Sequence, residues 1–386
     1  MSICLSHPSP RWSLGPSIGG LARAYERIYG GVGGVIVAGG GVRRPGPRAE
    51  PDLTPDEVRD VVFQPADAVS LALDTIERRR TEAGVGVRLG IPMVDDYLLP
   101  ARPGELITVL GMTSNYKSGL MQHWARYTAE VIARERIEDE CVVYVTWEQA
   151  IEEMLVFDFA CVARLSAIDL YQGRISGDTM RQLRDVYATR RVVTPVYLIG
   201  HSLAEGRRRP RLTLTTVGRG LQLIEREWGL RPRIIFLDYL QLIMPAPGED
   251  RRLQMLFDVN RCLDMGLAMR CPVVLGCQTG RSTYDQAWGM PNIHSGLETS
   301  GIEHASYKIL GTWMPKTTYD LGTDVSVSTG RGKGSKRVIH VTENLLILKV
   351  LKQKMGPAGR WFQLYVDSSR NLITGLAEDD DGSQVP

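Results

Sequence analysis

Leu106-Ile107-Thr108-Val109-Leu110 runs into Gly111-Met112-Thr113-Ser114-Asn115-Tyr116-Lys117-Ser118, and a helical pattern follows. In such a strand–loop–helix setting the backbone N–H groups at the helix start can wrap an anionic phosphate. The string fits GxxxxGK[ST] with one departure, Tyr116 in place of the second glycine. In that pattern Gly111, Thr113, Ser114, Asn115 and Tyr116 line the phosphates of ATP. Lys117 reaches the β- and γ-phosphates and the Ser118 hydroxyl ligates Mg²⁺. Tyr116 is expected to add bulk beside the phosphates. The plain alternative is an ordinary turn with a solvated lysine.

Three further apolar runs end on a polar residue. Ile234-Ile235-Phe236-Leu237 ends on Asp238. Open α/β sheets present ligands at the carboxyl ends of their strands, so Asp238 is placed in the Mg²⁺ shell beside Ser118. Val142-Val143-Tyr144-Val145-Thr146-Trp147 is followed by Glu148, the candidate base that orients an attacking water. Pro272 to Cys277 leads to Gln278, whose amide can sense a γ-phosphate. The bland counterparts are an aspartate capping a turn, a surface acid and a satisfied strand-end amide.

Short apolar strands alternating with helical patterns require a mainly parallel sheet covered on both faces. Strands are expected at Leu106–Leu110, Val142–Thr146, Ile234–Asp238, Val273–Cys277 and Leu345–Val350. Helices are expected at Ser118–Arg134, Ile151–Leu165, Thr179–Arg190 and Val217–Glu227. Ahead of them, Ala66, Val69, Leu73 and Ile76 recur at helical spacing, so residues 61–86 are expected to be a linker helix. A lone helix of that length is marginal, and its stripe must dock on its own domain or on a neighbouring subunit. Residues 1–60 read as a flexible arm, with seven glycines among the twelve residues from Gly30 to Gly41 and prolines after them. The ATPase domain is set at residues 87–376, and residues 377–386 form an acidic, frayed tail.

The 386 residues are 43% hydrophobic and 23% charged, which excludes global disorder. Forty-six Lys and Arg against 44 Asp and Glu give +2, so any nucleic-acid contact must come from local patches. The chain has no apolar run near the roughly 18 residues of a membrane span and no basic-then-apolar start of a secretory signal. Its six cysteines form no CxxC pair. Free core thiols and a cytoplasmic location are expected, without membrane contact.

At these residues the sequence resembles the DnaB-type replicative helicase family within the RecA-like P-loop ATPases. Asp238-Tyr239-Leu240-Gln241-Leu242 is similar to that family's acidic metal-binding segment. Leu89 to Asp96 and Arg102 to Leu106 resemble the approach to the phosphate loop. Thr146-Trp147-Glu148 resembles the strand carrying the catalytic glutamate. Pro272 to Ser282 and Ser300 to His304 resemble the sensor strand and the segment after it. Lys352-Gln353-Lys354-Met355-Gly356-Pro357 resembles a late hairpin that supplies charge to a neighbour's nucleotide. The likeness covers about residues 65–376, with the motifs in one order.

The resemblance implies a RecA-like core in a homo-oligomeric ring, usually of six subunits. ATP sits between subunits and single-stranded DNA runs through the centre. It implies catalytic roles for Lys352 and Lys354, docking of the Val69–Ile76 helix on the adjacent subunit, and a loader or recruited protein as partner. It places DNA-contacting loops in Pro245 to Arg252, where a solvated basic pair at Arg251 and Arg252 is the equal alternative, and in Gly280 to Ser300, which carries Arg281. Lys354 stands where the family has an arginine finger, and lysine makes no planar bidentate contact. Arg360 lies near in sequence. The family's helical N-terminal domain is not recognisable in residues 1–60. Two other basic stretches, Arg207 to Arg211 and Arg331 to Arg337, read as exposed loops.

The leading expectation is an ATP-driven, ring-forming motor on single-stranded DNA. A second is a nucleotide-loaded oligomeric scaffold with little turnover that recruits a partner in a mobile-element or defence system. A third, a RecA-type recombinase, is disfavoured by the Asp238 to Leu242 string.

Overall fold

The computed structural model describes residues 59, 62–81, 86–193, 195–206, 212–243, 251–279, 290–293, 300–328, 336–378 and 384–385. The expected arm (except Arg59), Arg207 to Arg211 and Arg281 lie outside them, as do Pro245 to Asp250. The chain divides into two units, residues 1–71 and 72–386, with the boundary inside helix α1 (Pro65–Thr81). That helix begins with proline, which suits a first-turn position because the missing N–H would be unpaired there anyway. Its stripe residues Val69, Leu73 and Ile76 are all exposed.

The second unit is built on a nine-stranded sheet. Its strands are β1 (Leu106–Gly111), β2 (Glu140–Thr146), β3 (Val196–Ile199), β4 (Arg231–Asp238), β5 (Val273–Gln278), β6 (Lys308–Trp313), β9 (Leu345–Gln353), β10 (Trp361–Asp367) and β11 (Leu372–Gly375), in the order β11-β10-β9-β6-β1-β5-β4-β2-β3. The six strands from β6 to β3 run parallel. The remaining pairings, β6 with β9, β9 with β10 and β10 with β11, are antiparallel. The expected strand at Leu345 therefore joins in the opposite sense. The short link from β9 to β10 leaves no room for a helical crossover, so those two strands form a hairpin.

Strands buried on both faces read as continuous apolar runs, which is why β1, β2, β4 and β5 were legible. Alternate residues feed two cores. Ile107, Val109, Val142, Tyr144, Phe236 and Val274 face one side, with Leu120, Met121 and Trp124 of helix α3 (Lys117–Glu135). Leu106, Leu110, Val143, Val145, Leu237 and Leu275 face the other. They meet Val217 and Leu221 of helix α7 (Leu214–Trp228), and Val259 and Met265 of helix α8 (Arg251–Met269). The Trp124 and Phe236 rings meet edge to face at 6.0 Å, worth about 0.5–1.5 kcal/mol beyond area burial. That contact ties the helix after the phosphate loop to the strand that ends on Asp238.

Further helices are α2 (Pro92–Asp95), α4 (Ile151–Ala163), α5 (Ala167–Tyr171), α6 (Gly177–Val193) and α9 (Ser300–Ala305). A hairpin of β7 (Asp324–Ser328) and β8 (Lys336–His340) closes a third core over Trp313 and Ile347. Two expectations change here. Arg251 and Arg252 open helix α8 instead of ending a loop. Arg337, expected in a loop, lies in β8 and stacks on the Trp361 ring at 5.6 Å. In the expected frayed tail, Ala377–Glu378 pairs with Gln384–Val385. Cys141, Cys262, Cys271 and Cys277 are buried thiols, and Cys161 is half-buried, none of them in a disulfide. Among the described residues no helix is long and apolar enough to cross a membrane.

Candidate nucleotide site

Strand register brings the candidate residues to one edge. Gly111 is opposite Gln278, and Thr146 is opposite Asp238. The phosphate loop, Glu148, Asp238 and Gln278 therefore share the carboxyl ends of four adjacent strands, where a parallel sheet offers a crevice.

The loop is shaped for an anion. Helix α3 starts without a side-chain cap and without an acidic residue in its first turn, so its leading N–H groups are left for a ligand. A Cβ at Gly111 would sit 2.8 Å from Lys117 Cγ and 3.2 Å from the Thr312 carbonyl oxygen, so only glycine lets the loop close. Ser114 and Tyr116 adopt left-handed conformations, φ 64° and 60°. A second glycine would serve naturally at position 116, and the tyrosine there meets the same backbone demand at a cost.

The Tyr116 ring does not add the expected bulk beside the phosphates. It packs on the core below, and a Cβ on Gly119 would fall 2.3 Å from it. Its hydroxyl donates to Asn371 Oδ1 at 2.7 Å. Bulk gained at 116 is thus balanced by its absence at 119. Gly119→Ala should gain about 1 kcal/mol of helix propensity but lose about 1–3 kcal/mol to overpacking against a ring that its hydroxyl holds in place. We expect a lower thermal midpoint, and an unchanged one would mean that the ring slides freely.

Asn115, expected to line the nucleotide, is buried and turned inward. Its Oδ1 accepts from the Met314 N–H at 2.6 Å, and its amide donates to the Thr113 carbonyl at 3.2 Å. The side chain therefore pins the loop to the end of β6. Thr113 and Ser114 are exposed at the loop tip. Gln278 donates from Nε2 to Thr113 Oγ1, joining the end of β5 to the loop.

Lys117, Asp238 and Glu148 interact as a cluster. Burial lowers the Lys117 ammonium pKa, against the pull of Asp238 and Glu148. Its Nζ donates to the Met112 carbonyl at 2.9 Å. Burial raises the Asp238 carboxyl pKa, opposed by Ser118, Tyr144 and Lys117. Tyr144 donates to Asp238 Oδ2 at 2.8 Å. Asp238 Oδ1 is buried and has no hydrogen bond of good geometry among the described residues. A bare buried carboxylate oxygen costs free energy unless something pairs with it, and it sits with the Ser118 hydroxyl, an oxygen donor set suited to Mg²⁺. The residues present therefore fit the ion.

Glu148 is exposed at the strand end, yet partial desolvation, then the neighbouring Asp238, raises its carboxyl pKa above the ordinary 4.5, with Lys117 pulling the other way. The candidate base must be deprotonated to act, so turnover should fall as pH drops through this raised value. The acidic limb of a kcat/KM profile should lie above pH 4.5 and disappear in Glu148→Gln. A limb at or below the ordinary value would remove Glu148 from that role.

Gln241 is the residue that sequence reasoning passed over. Its Oε1 accepts from the Gln278 N–H, and its Nε2 donates to the Gln278 carbonyl, both at 3.0 Å. The side chain mimics a strand neighbour and fixes Gln278 to the Asp238 segment. Its place in the Asp238 to Leu242 string was the available signal.

Lys352 and Lys354 are not brought to this edge within one chain. Gln353 pairs with Lys308, and Ile107, also paired with Lys308, lies four strand residues before Gly111. At about 3.3 Å per residue, that level is roughly 13 Å away along the strands. Lys352 donates to its own chain's Glu303 carbonyl. Lys354 is exposed, with its ammonium 4.3 Å from the Tyr307 ring centre. Arg360 lies over the Tyr97 and Phe362 rings at 5.5 and 5.0 Å.

A strand, an uncapped loop-to-helix turn and polar strand ends on a mostly parallel sheet define a RecA-like P-loop nucleotide-binding protein. A family model for the DnaB-like helicase C terminal domain matches residues 86–365, and the chain belongs to that family. It is similar in fold to the ATPase domain of G40P, with 15% identity, a TM-score of 0.63, 80% of this chain covered and 99% of that one. A DnaB-like replicative helicase, studied with its interactions with primase, matches at 14% identity and TM-score 0.63, covering 83% of this chain and 71% of that one. No curated protein sequence matches.

Proposed function

We propose that the chain is an ATP-driven, ring-forming motor on single-stranded DNA. The observation that carries this reading is the shared edge, with Lys117, Asp238 and Glu148 electrostatically coupled around an uncapped helix start. Lys117 and the loop amides bind the phosphates of ATP, and Glu148 takes the proton of the attacking water. Gln278, held by Gln241 and bonded to Thr113, reports loop occupancy to the sheet. Mg²⁺ held by Ser118 and Asp238 would neutralise charge on the phosphates.

Lys354, remote from its own chain's site and exposed, suits a role in a neighbour's site, as in a homohexameric ring. Lys352, bonded to Glu303, holds the hairpin. The exposed stripe of α1 suits docking on an adjacent subunit. Arg251, Arg252 and Arg281 are the DNA-contact candidates through phosphate pairing, which makes binding salt-dependent. A loader or recruited protein completes the set of partners, and buried free thiols suit the reducing cytoplasm. The domain plan is an arm (1–60), a linker helix (61–86), the ATPase (87–376) and a tail (377–386).

One feature favours a second reading, a nucleotide-loaded scaffold with little turnover: a lysine occupies the trans-acting position, and a point charge stabilises a transferring phosphoryl less well than a bidentate guanidinium. The test compares ATPase with and without single-stranded DNA and unwinding of a forked duplex. Stimulated hydrolysis with unwinding supports the motor. Rings that bind ATP but do neither support the scaffold.

A further inference from the structure

Tyr116 begins a chain of hydrogen bonds that ends beside Glu148. Its hydroxyl donates to Asn371 Oδ1 at 2.7 Å. Asn371 Nδ2 donates to Gln122 Oε1 at 2.7 Å, and Gln122 Nε2 donates to Gln149 Oε1 at 3.3 Å. An amide oxygen can only accept, so the phenol must be the donor, and each amide passes its N–H onward in one sense. Gln149 follows Glu148 directly, and its main chain is clamped at both groups by the Thr146 hydroxyl at 3.0 Å.

The middle of the chain is buried and held by further contacts. Asn371 is 2% exposed and sits in a left-handed conformation (φ 49°) between β10 and β11. Its carbonyl accepts from Arg126 at 3.1 Å, and Arg126 pairs with Asp158 at 3.2 Å. Gln122 lies on α3, whose first turn carries Lys117 and Ser118. Glycine at position 116 would leave the loop without this tether. Here the residue with the loop's special backbone conformation is tied to the residue beside the proposed base.

We propose that Tyr116, Asn371, Gln122 and Gln149 form a positioning relay that fixes the distance between the phosphate loop and Glu148. The relay rests on the ATPase reading above and adds to it the residues that set the alignment of loop and base. None of the four needs to touch the reacting atoms. Misplacing a catalytic group by about 1 Å can cost up to 10²-fold in rate, so slack in the relay registers in kcat before it registers in binding.

The test uses the full chain with Tyr116→Phe, which keeps the ring and deletes the hydroxyl, together with Gln149→Leu and the double variant. Each single variant is expected to lower kcat about 10-fold to 100-fold and to leave the ATP KM within about twofold. The double variant should be no worse than the weaker single, because both break one chain. Amide hydrogen exchange across residues 146–150 should speed up in Tyr116→Phe. Wild-type kcat in Tyr116→Phe, losses that multiply in the double variant, or a raised KM at constant kcat would overturn the relay. Lys117→Ala run in parallel separates the two ideas. If it abolishes hydrolysis while the relay variants are silent, the relay falls and the ATPase reading stands. If the wild type hydrolyses no ATP, the ATPase reading falls and the exchange result alone decides: faster exchange in Tyr116→Phe upholds the tether, and unchanged exchange overturns it.

Discussion

Lys117→Ala should lower ATP turnover by about 10²- to 10³-fold, and Glu148→Gln by about 10²- to 10⁴-fold, through different parts of one site. Lys117 is held among Asp238, Glu148 and the Met112 carbonyl, away from bulk water, where a charge is worth far more than at a surface. On the proposed reading its removal takes away a phosphate contact, so nucleotide affinity should fall along with kcat. Glu148→Gln keeps the shape and deletes the proposed base. Binding of a fluorescent ATP analogue should survive in that variant while hydrolysis fails. Both variants should melt near the wild type, since neither group fills the apolar core. Wild-type hydrolysis in both would mean that the catalytic site has been placed in the wrong crevice.

Lys354→Ala should lower turnover by at least about 10²-fold although its own chain's phosphate loop is intact. The strand register puts residue 353 level with Ile107, at the far end of the sheet from Gly111. A loss of activity through Lys354 must then pass between subunits. Mixing supplies the decisive arm. Lys117→Ala subunits mixed with Lys354→Ala subunits form some interfaces with both lysines intact, about a quarter in a random head-to-tail ring, and activity should return to that extent. No return on mixing, with both parents inactive, would place Lys354 in a structural role. Arg360 is a poorer candidate because its guanidinium is already stacked on Tyr97 and Phe362.

The fold was legible where burial was simplest. β1, β2, β4 and β5 lie inside the sheet, so both faces demand apolar residues and the runs stand out. β6 was missed because Lys308 and Thr312 interrupt it. Lys308 is buried all the same, with its charge met by Glu105 from the loop before β1, a partner distant in sequence. Helix α8 was missed because Arg251, Arg252, Asp258 and Asn260 mask its apolar stripe. The edge strand β3 is too short to signal.

At the candidate site, residue types alone pointed to Lys117, Ser118, Asp238, Glu148 and Gln278, since each follows or ends an apolar run at a phosphate-loop or strand-end position. Local pattern carries that much because strand ends and loop-to-helix turns are set by neighbours in the chain. Direction is not local. Asn115 and Tyr116 read as nucleotide contacts, yet Asn115 points to Met314 and Tyr116 to Asn371, 199 and 255 residues away. Lys352 and Lys354 read alike, yet one is bonded to Glu303 and the other is exposed. The sequence by itself picked out the backbone segments that meet at the carboxyl edge of the sheet. Only the tertiary structure decided which side chains brace the loop and which are left exposed at its tip, because that choice depends on contacts between segments that meet only once the sheet has closed.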